Sequence, residues 1–151
     1  MNKRLLFILI FIVLFFVFFL ILKDHVVGII HFGWKTGDEI LARDLYKIKK
    51  IEFVDKSDGT KIEFNNPNDI DEILSLVSLK GMSSKTTARC RYDLKFYTSD
   101  DRIVIINLGN KPILEGFSFK YTDDFKKLFS DLREQLSQRQ NRGHGKIGVK
   151  H

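Results

Sequence analysis

Leu5 to Leu22 reads LLFILIFIVLFFVFFLIL, eighteen consecutive Leu, Ile, Val and Phe residues with no polar side chain, glycine or proline. Such a stretch satisfies its backbone in an apolar medium only by coiling into a helix. At ~1.5 Å rise per residue the helix covers roughly 27 Å, close to the ~30 Å hydrocarbon core of a bilayer. The expectation is a single-pass transmembrane helix over 5–22, its partner the lipid bilayer from Leu5 to Leu22, with a basic flank over 1–4. A cleaved secretory signal peptide competes with this reading, but its apolar part usually runs ~7–15 residues and ends in a small-x-small site. Here only Val26-Val27-Gly28 approaches such a site, so an uncleaved signal-anchor is expected. Lys3, Arg4 and the α-amino group, set against Lys23 and Lys35, place the N-terminus inside and the domain on the extracytoplasmic side. Val26 to Trp34, broken by Gly28, His31 and Gly33, reads as an interfacial stretch with Trp34 as its anchor.

The charge left over is distributed unevenly. Lys and Arg outnumber Asp and Glu by 25 to 19 in the whole chain, yet Leu45 to Leu136 carries 16 basic and 15 acidic residues. The excess over the domain's end is Arg139, Arg142, Lys146 and Lys150, with no acid among them. A basic tail of that kind suits contact with an anionic surface. A near-neutral domain gives no reason to expect nucleic acid as a partner. The single cysteine, Cys90, excludes an internal disulfide and a cysteine-based zinc site.

Hydropathy patterning from Leu45 onward predicts an α+β domain over 45–136, after a juxtamembrane connector over 23–44 with one short helical turn around Asp38 to Arg43. Tyr46 and Ile48 lie on one strand parity, Ile51 and Phe53 on the other, which asks for a bulge at Lys49-Lys50. Asp58-Gly59 offers a two-residue hairpin turn, and Lys61-Ile62-Glu63-Phe64 returns with Phe53 opposite Phe64. Asn66 caps a helix that begins with Pro67, buries Ile70, Ile73, Leu74 and Val77, and stops at Lys80-Gly81. Met82 to Thr87 shows no period and reads as a loop. Cys90, Tyr92, Leu94 and Phe96 alternate with Arg91, Asp93, Lys95 and Tyr97, a strand with one wet face. Ile103 to Ile106 is an unbroken apolar run, which predicts an interior strand covered on both faces. Phe117, Phe119 and Tyr121 share one face of a last strand. Thr122 then caps a helix with Phe125, Leu128, Phe129, Leu132 and Leu136 at helical spacing. The expected order is β-β-α-β-β-β-α, an antiparallel sheet of about five strands with two helices on one face, followed by a disordered basic tail over 137–151.

Fragments that look like chemistry fail on context. Gly143 to Gly148 matches G-x-G-x-x-G, but no strand precedes it and three residues follow it. Gly81 to Thr86 lacks the second glycine of a phosphate loop and follows a helix. Asp55 to Gly59 lacks the calcium loop's twelfth-position glutamate. All four histidines (His25, His31, His144 and His151) lie outside the domain, so Cys90 has no base and no metal site is expected. No catalytic residue and no cofactor is assigned.

What remains is a binding surface. Arg89, Arg91, Lys95 and Tyr97 share the exposed parity of one strand and form a candidate docking face for a protein or anionic polymer. Arg139, Arg142, Lys146 and Lys150 form a second candidate, toward an anionic surface. The function expected is a membrane-anchored, non-catalytic binding module. Two alternatives are an accessory subunit of a membrane or envelope complex and an enzyme using carboxylates such as Asp93 or Glu115.

Overall fold

The computed structural model of the chain describes residues 3–32, 36–45 and 47–144. It is an α+β fold built on one antiparallel sheet with four helices. The helices are α1 (Lys3–Phe32), α2 (Gly37–Asp44), α3 (Pro67–Leu76) and α4 (Asp123–His144). The strands are β1 (Ile48–Asp55), β2 (Lys61–Phe64), β3 (Leu79–Lys85), β4 (Tyr92–Thr98), β5 (Ile103–Leu108), β6 (Ile113–Leu114) and β7 (Phe117–Tyr121).

The single-pass membrane reading is overturned. Among the described residues no helix is long and apolar enough to cross a membrane. The signal-anchor and the inside-to-outside placement of the domain rested on the same span and fall with it. The interval expected to be a connector is largely helical: α1 reaches Phe32, and α2 supplies Ile40 and Leu41 to the core. Trp34 lies outside the described residues.

Seven strands stand in the order β2-β1-β4-β5-β6-β7-β3, not five. The additional strands are β3, where a loop was expected, and the two-residue β6. Both lack an apolar alternation long enough to announce them. Gly81, at φ +43°, lets β3 shift register against β7 between Lys80 and Ser84. The bulge expected at Lys49-Lys50 is present, as a register shift between Ile48 and Lys50. The first hairpin closes through four residues, not two, because Asp55 and Thr60 already pair and Gly59 donates back to the Asp55 carbonyl. Phe53 therefore stands opposite Ile62, and Ile51 opposite Phe64. A slip of two residues preserves parity, so each side chain keeps the face expected of it.

That face carries the core. Ile51, Phe53, Leu94, Phe96, Ile106, Leu108, Phe117 and Phe119 are buried beneath α2, α3 and α4 in one cluster. Three helices, not two, cover it. α3 starts as its sequence dictates, with the Asn66 side chain accepting from the Asn68 N–H and Pro67 in the first turn. It ends at Leu76, earlier than Lys80-Gly81, and Leu79 and Lys80 enter β3 instead. α4 is capped by Thr122 Oγ1, which accepts from the Phe125 N–H at 3.2 Å. It continues to His144, so the expected disorder of 137–151 is corrected up to that residue, and 145–151 lie outside the described residues.

α2 is fixed at its N-terminus by a reciprocal cap between Thr36 and Glu39. Asp38 Oδ1 accepts from the Leu79 N–H at 3.1 Å and from Ser78 Oγ at 2.7 Å, drawing the helix against β3. The approach is so close that a Cβ on Gly37 would sit 2.2 Å from the Leu79 carbonyl oxygen. Gly37→Ala is expected to cost about 1–3 kcal/mol by forcing α2 away from the sheet. A shift of the urea midpoint measures this, and an unchanged midpoint would show that α2 tolerates displacement.

Candidate binding surface on the open sheet face

Every second residue of the sheet points away from the core that α2, α3 and α4 cover. The side chains that do so follow from register. Tyr97 pairs with Ile103 and Lys95 with Ile105, while Asp93 pairs with Asn107. On the neighbouring strands Lys50 pairs with Tyr97, Glu52 with Lys95 and Val54 with Asp93. On the far side Lys80 stands directly opposite Lys120.

Two observations distinguish this face. The first is apolar exposure at its centre. Ile103 is 53% exposed and Ile105 38%, the only large apolar side chains so exposed outside α1 among the described residues. The interior strand expected at Ile103 to Ile106 is thus central in strand order but covered on one face only. Val104 and Ile106 turn inward, and Ile103 and Ile105 turn out. Arg102, Ile103, Ile105, Asn107, Glu115 and Gly116 line a hollow of about 580 Å³ there, open to solvent.

The second is the state of the charges. Glu52 is buried yet ionised. Desolvation pushes its carboxyl up, but hydrogen bonds from Lys50 (2.7 Å), Tyr97 Oη (2.6 Å) and Lys61 (3.4 Å) outweigh it and hold the pKa at about 2. The same bond to Glu52, with burial, raises the Tyr97 phenol. Lys50 lies 4.2 Å over the Tyr97 ring centroid. Asp93 accepts from Asn107 Nδ2 at 2.7 Å and pairs with Lys56 at 2.8 Å. Glu63 pairs with Lys61 at 2.5 Å. The acids of the face are therefore neutralised, whereas Lys80, Lys95 and Lys120 make no ion pair with any described residue. Like charges placed directly opposite, as at Lys80 and Lys120, repel unless something neutralises them.

The candidate residues of the docking face separate in the structure. Lys95 and Tyr97 lie on the open face. Arg89 is exposed in the loop before β4. Arg91 turns to the other side, where Nε and Nη2 grip the Asp55 carboxylate at 2.6–3.1 Å. This salt bridge draws it away from the parity of Lys95 because Asp55 belongs to the helix-facing row with Ile51 and Phe53. Arg139 is exposed on α4, Arg142 lies within the same helix, and Lys146 and Lys150 fall outside the described residues. The carboxylates named for an enzyme reading are committed elsewhere. Asp93 is bonded as above, and Glu115 sits with Gly116 in the positive-φ turn between β6 and β7. Lys50, Lys80, Lys120, Ile103 and Ile105 were not legible as parts of one surface. The signal that finds them is the strand pairing, because a partner directly across from a wet residue is itself wet.

Comparison with protein families, with curated proteins and with solved structures finds no match for this chain.

Proposed function

We propose that the domain is a non-catalytic binding module that takes an acidic segment of a partner protein on the open face of its sheet. The observation that carries this reading is the exposed pair Ile103 and Ile105 at the centre of that face. Apolar area left in water is removed by docking, at roughly 25 cal/mol per Å². The sign of the partner comes from the lysines around it. Lys95 is Ile105's cross-strand neighbour, and Lys80 and Lys120 stand without counter-charge on the same side. An acidic segment satisfies all three and gains on-rate from the attraction.

The test is a photoreactive residue at position 105 of the full-length chain in the cells that produce it. An adduct with a protein carrying an acidic segment is expected, and charge reversal by Lys95→Glu with Lys120→Glu is expected to lower its yield about tenfold. The same probe at Lys126, exposed on α4, serves as control. Equal adducts from positions 105 and 126, or indifference to the charge reversal, would remove the reading.

A further inference from the structure

On the helix side of the sheet, away from the lysines, the start of β4 and the middle of α4 enclose a cleft of about 470 Å³. That is within the ~300–1,000 Å³ range of small-molecule sites. Its floor is Tyr92, stacked on Phe53 at 5.4 Å between ring centroids and met edge-on by Phe129 at 5.6 Å. Its wall is Arg133, which follows the core residue Leu132 and is thereby held at the core's margin. The Arg133 guanidinium lies 5.5 Å from the Tyr92 ring and 5.6 Å from that of Phe129. Arg91 approaches the Tyr92 ring at 5.2 Å.

The hydrogen-bonding capacity left in this cleft is mostly that of donors. Asp55, the buried acid lining it, is saturated: Oδ1 accepts from Ser57 N, Ser57 Oγ and Arg91 Nε, and Oδ2 from Arg91 Nε and Nη2. Arg133 makes no ion pair or hydrogen bond with any described residue, and neither does the Tyr92 hydroxyl. The exposed hydroxyls of Ser130 and Ser137 line the same space from α4. Glu134 is the one lining acid with spare capacity, accepting from Gln138 Nε2 at 3.3 Å. An unpaired guanidinium fork beside a phenol is the chemistry that grips a planar or tetrahedral oxyanion.

We propose that this cleft binds the oxyanion group of a small ligand, a carboxylate or a phosphate, through Arg133 and Tyr92. The site lies on the opposite side of the sheet from the proposed protein-binding face and stands whether or not that face is used.

Inorganic phosphate and acetate, each titrated into the full-length chain at constant ionic strength, separate the two sources. Arginine Nε and tyrosine ring resonances are the readout. At least one anion is expected to shift Arg133 and Tyr92 saturably, with a dissociation constant of about 1 mM. Arg133→Gln is expected to weaken binding about tenfold and Arg133→Lys, which keeps the charge but loses the fork, by less. Arg139→Gln, on the same helix, is the control for general charge and is expected to leave binding intact. Saturation by phosphate alone or by acetate alone supports the site and names its ligand class. No saturable shift with either anion, or equal weakening by Arg139→Gln and Arg133→Gln, overturns it. Should Arg133→Gln unfold the chain, Arg133→Lys carries the comparison with Arg139→Gln.

Discussion

Phe53→Ala is expected to destabilise the domain by about 3–5 kcal/mol, a large part of the ~5–15 kcal/mol that holds an ordinary domain folded. The ring is fully buried on β1, between Ile62 of β2 and Leu94 of β4. It stacks on Tyr92 with an interplanar angle of 10° and meets Phe129 edge-on at 6.1 Å. Truncation removes the transfer free energy of the ring and leaves a void between sheet and α4 that relaxes only in part. Urea denaturation followed by far-ultraviolet circular dichroism measures the loss. A cost under about 1 kcal/mol would mean that α4 collapses onto the sheet without strain. Because Tyr92 rests on Phe53, the same variant is also expected to disorder the cleft beside Arg133.

Acid is expected to weaken the domain through two carboxylates. Glu52 is held at about 2 against desolvation by Lys50, Tyr97 and Lys61. Asp55 is held at about 2 by the Arg91 guanidinium, again against desolvation, with help from Ser57. Both values lie below the ordinary carboxylate range, so the folded state binds protons less readily than the unfolded chain. The stability this supplies is complete above pH ~4.5 and is lost as pH falls from there toward 2. The lysine and guanidinium partners are partly in water, which screens the pairs. Each carboxylate is therefore assigned on the order of 1–2 kcal/mol, not the full unscreened amount. Urea midpoints at successive pH values should fall across that window, and a double variant Glu52→Gln with Asp55→Asn should flatten the fall. A midpoint constant from pH 5 to pH 2.5 would show that neither pair contributes.

Much of the domain was legible because its signals are local. Asn66-Pro67 and Thr122 mark helix starts by capping chemistry, and the parity change around Lys49-Lys50 requires a bulge wherever the partner strand lies. The rest depended on information that a single strand does not carry. Ile103 to Ile106 reads as doubly buried when taken alone. Paired with β4 it cannot be, because Tyr97 and Lys95 already mark the wet parity and stand across from Ile103 and Ile105. Arg91 misled for a related reason: parity placed it with Lys95, but it sits just before β4 begins, where the Asp55 carboxylate redirects its side chain. β3 escaped because Lys80, Gly81 and Ser84 offer no apolar alternation, and what makes them a strand is the edge of β7 beside them. The unbroken apolar run near the N-terminus reads as a membrane span from the sequence, yet no helix over the described residues is long and apolar enough to cross a membrane.

Near its far end α4 reaches back to the first hairpin, where Gln140 Nε2 donates to Asp58 Oδ2 at 2.5 Å across 82 residues of sequence. The sheet likewise joins distant parts of the chain, for β1 pairs with β4 and the edge strand β3 with β7. During synthesis, then, β1 and β2 leave the ribosome before β4, which completes the pairing of β1, and before α4, whose Phe129 covers Phe53. Contacts of such high order slow folding and lengthen the time for which Ile51, Phe53 and Ile62 stay open to chaperones and other nascent chains.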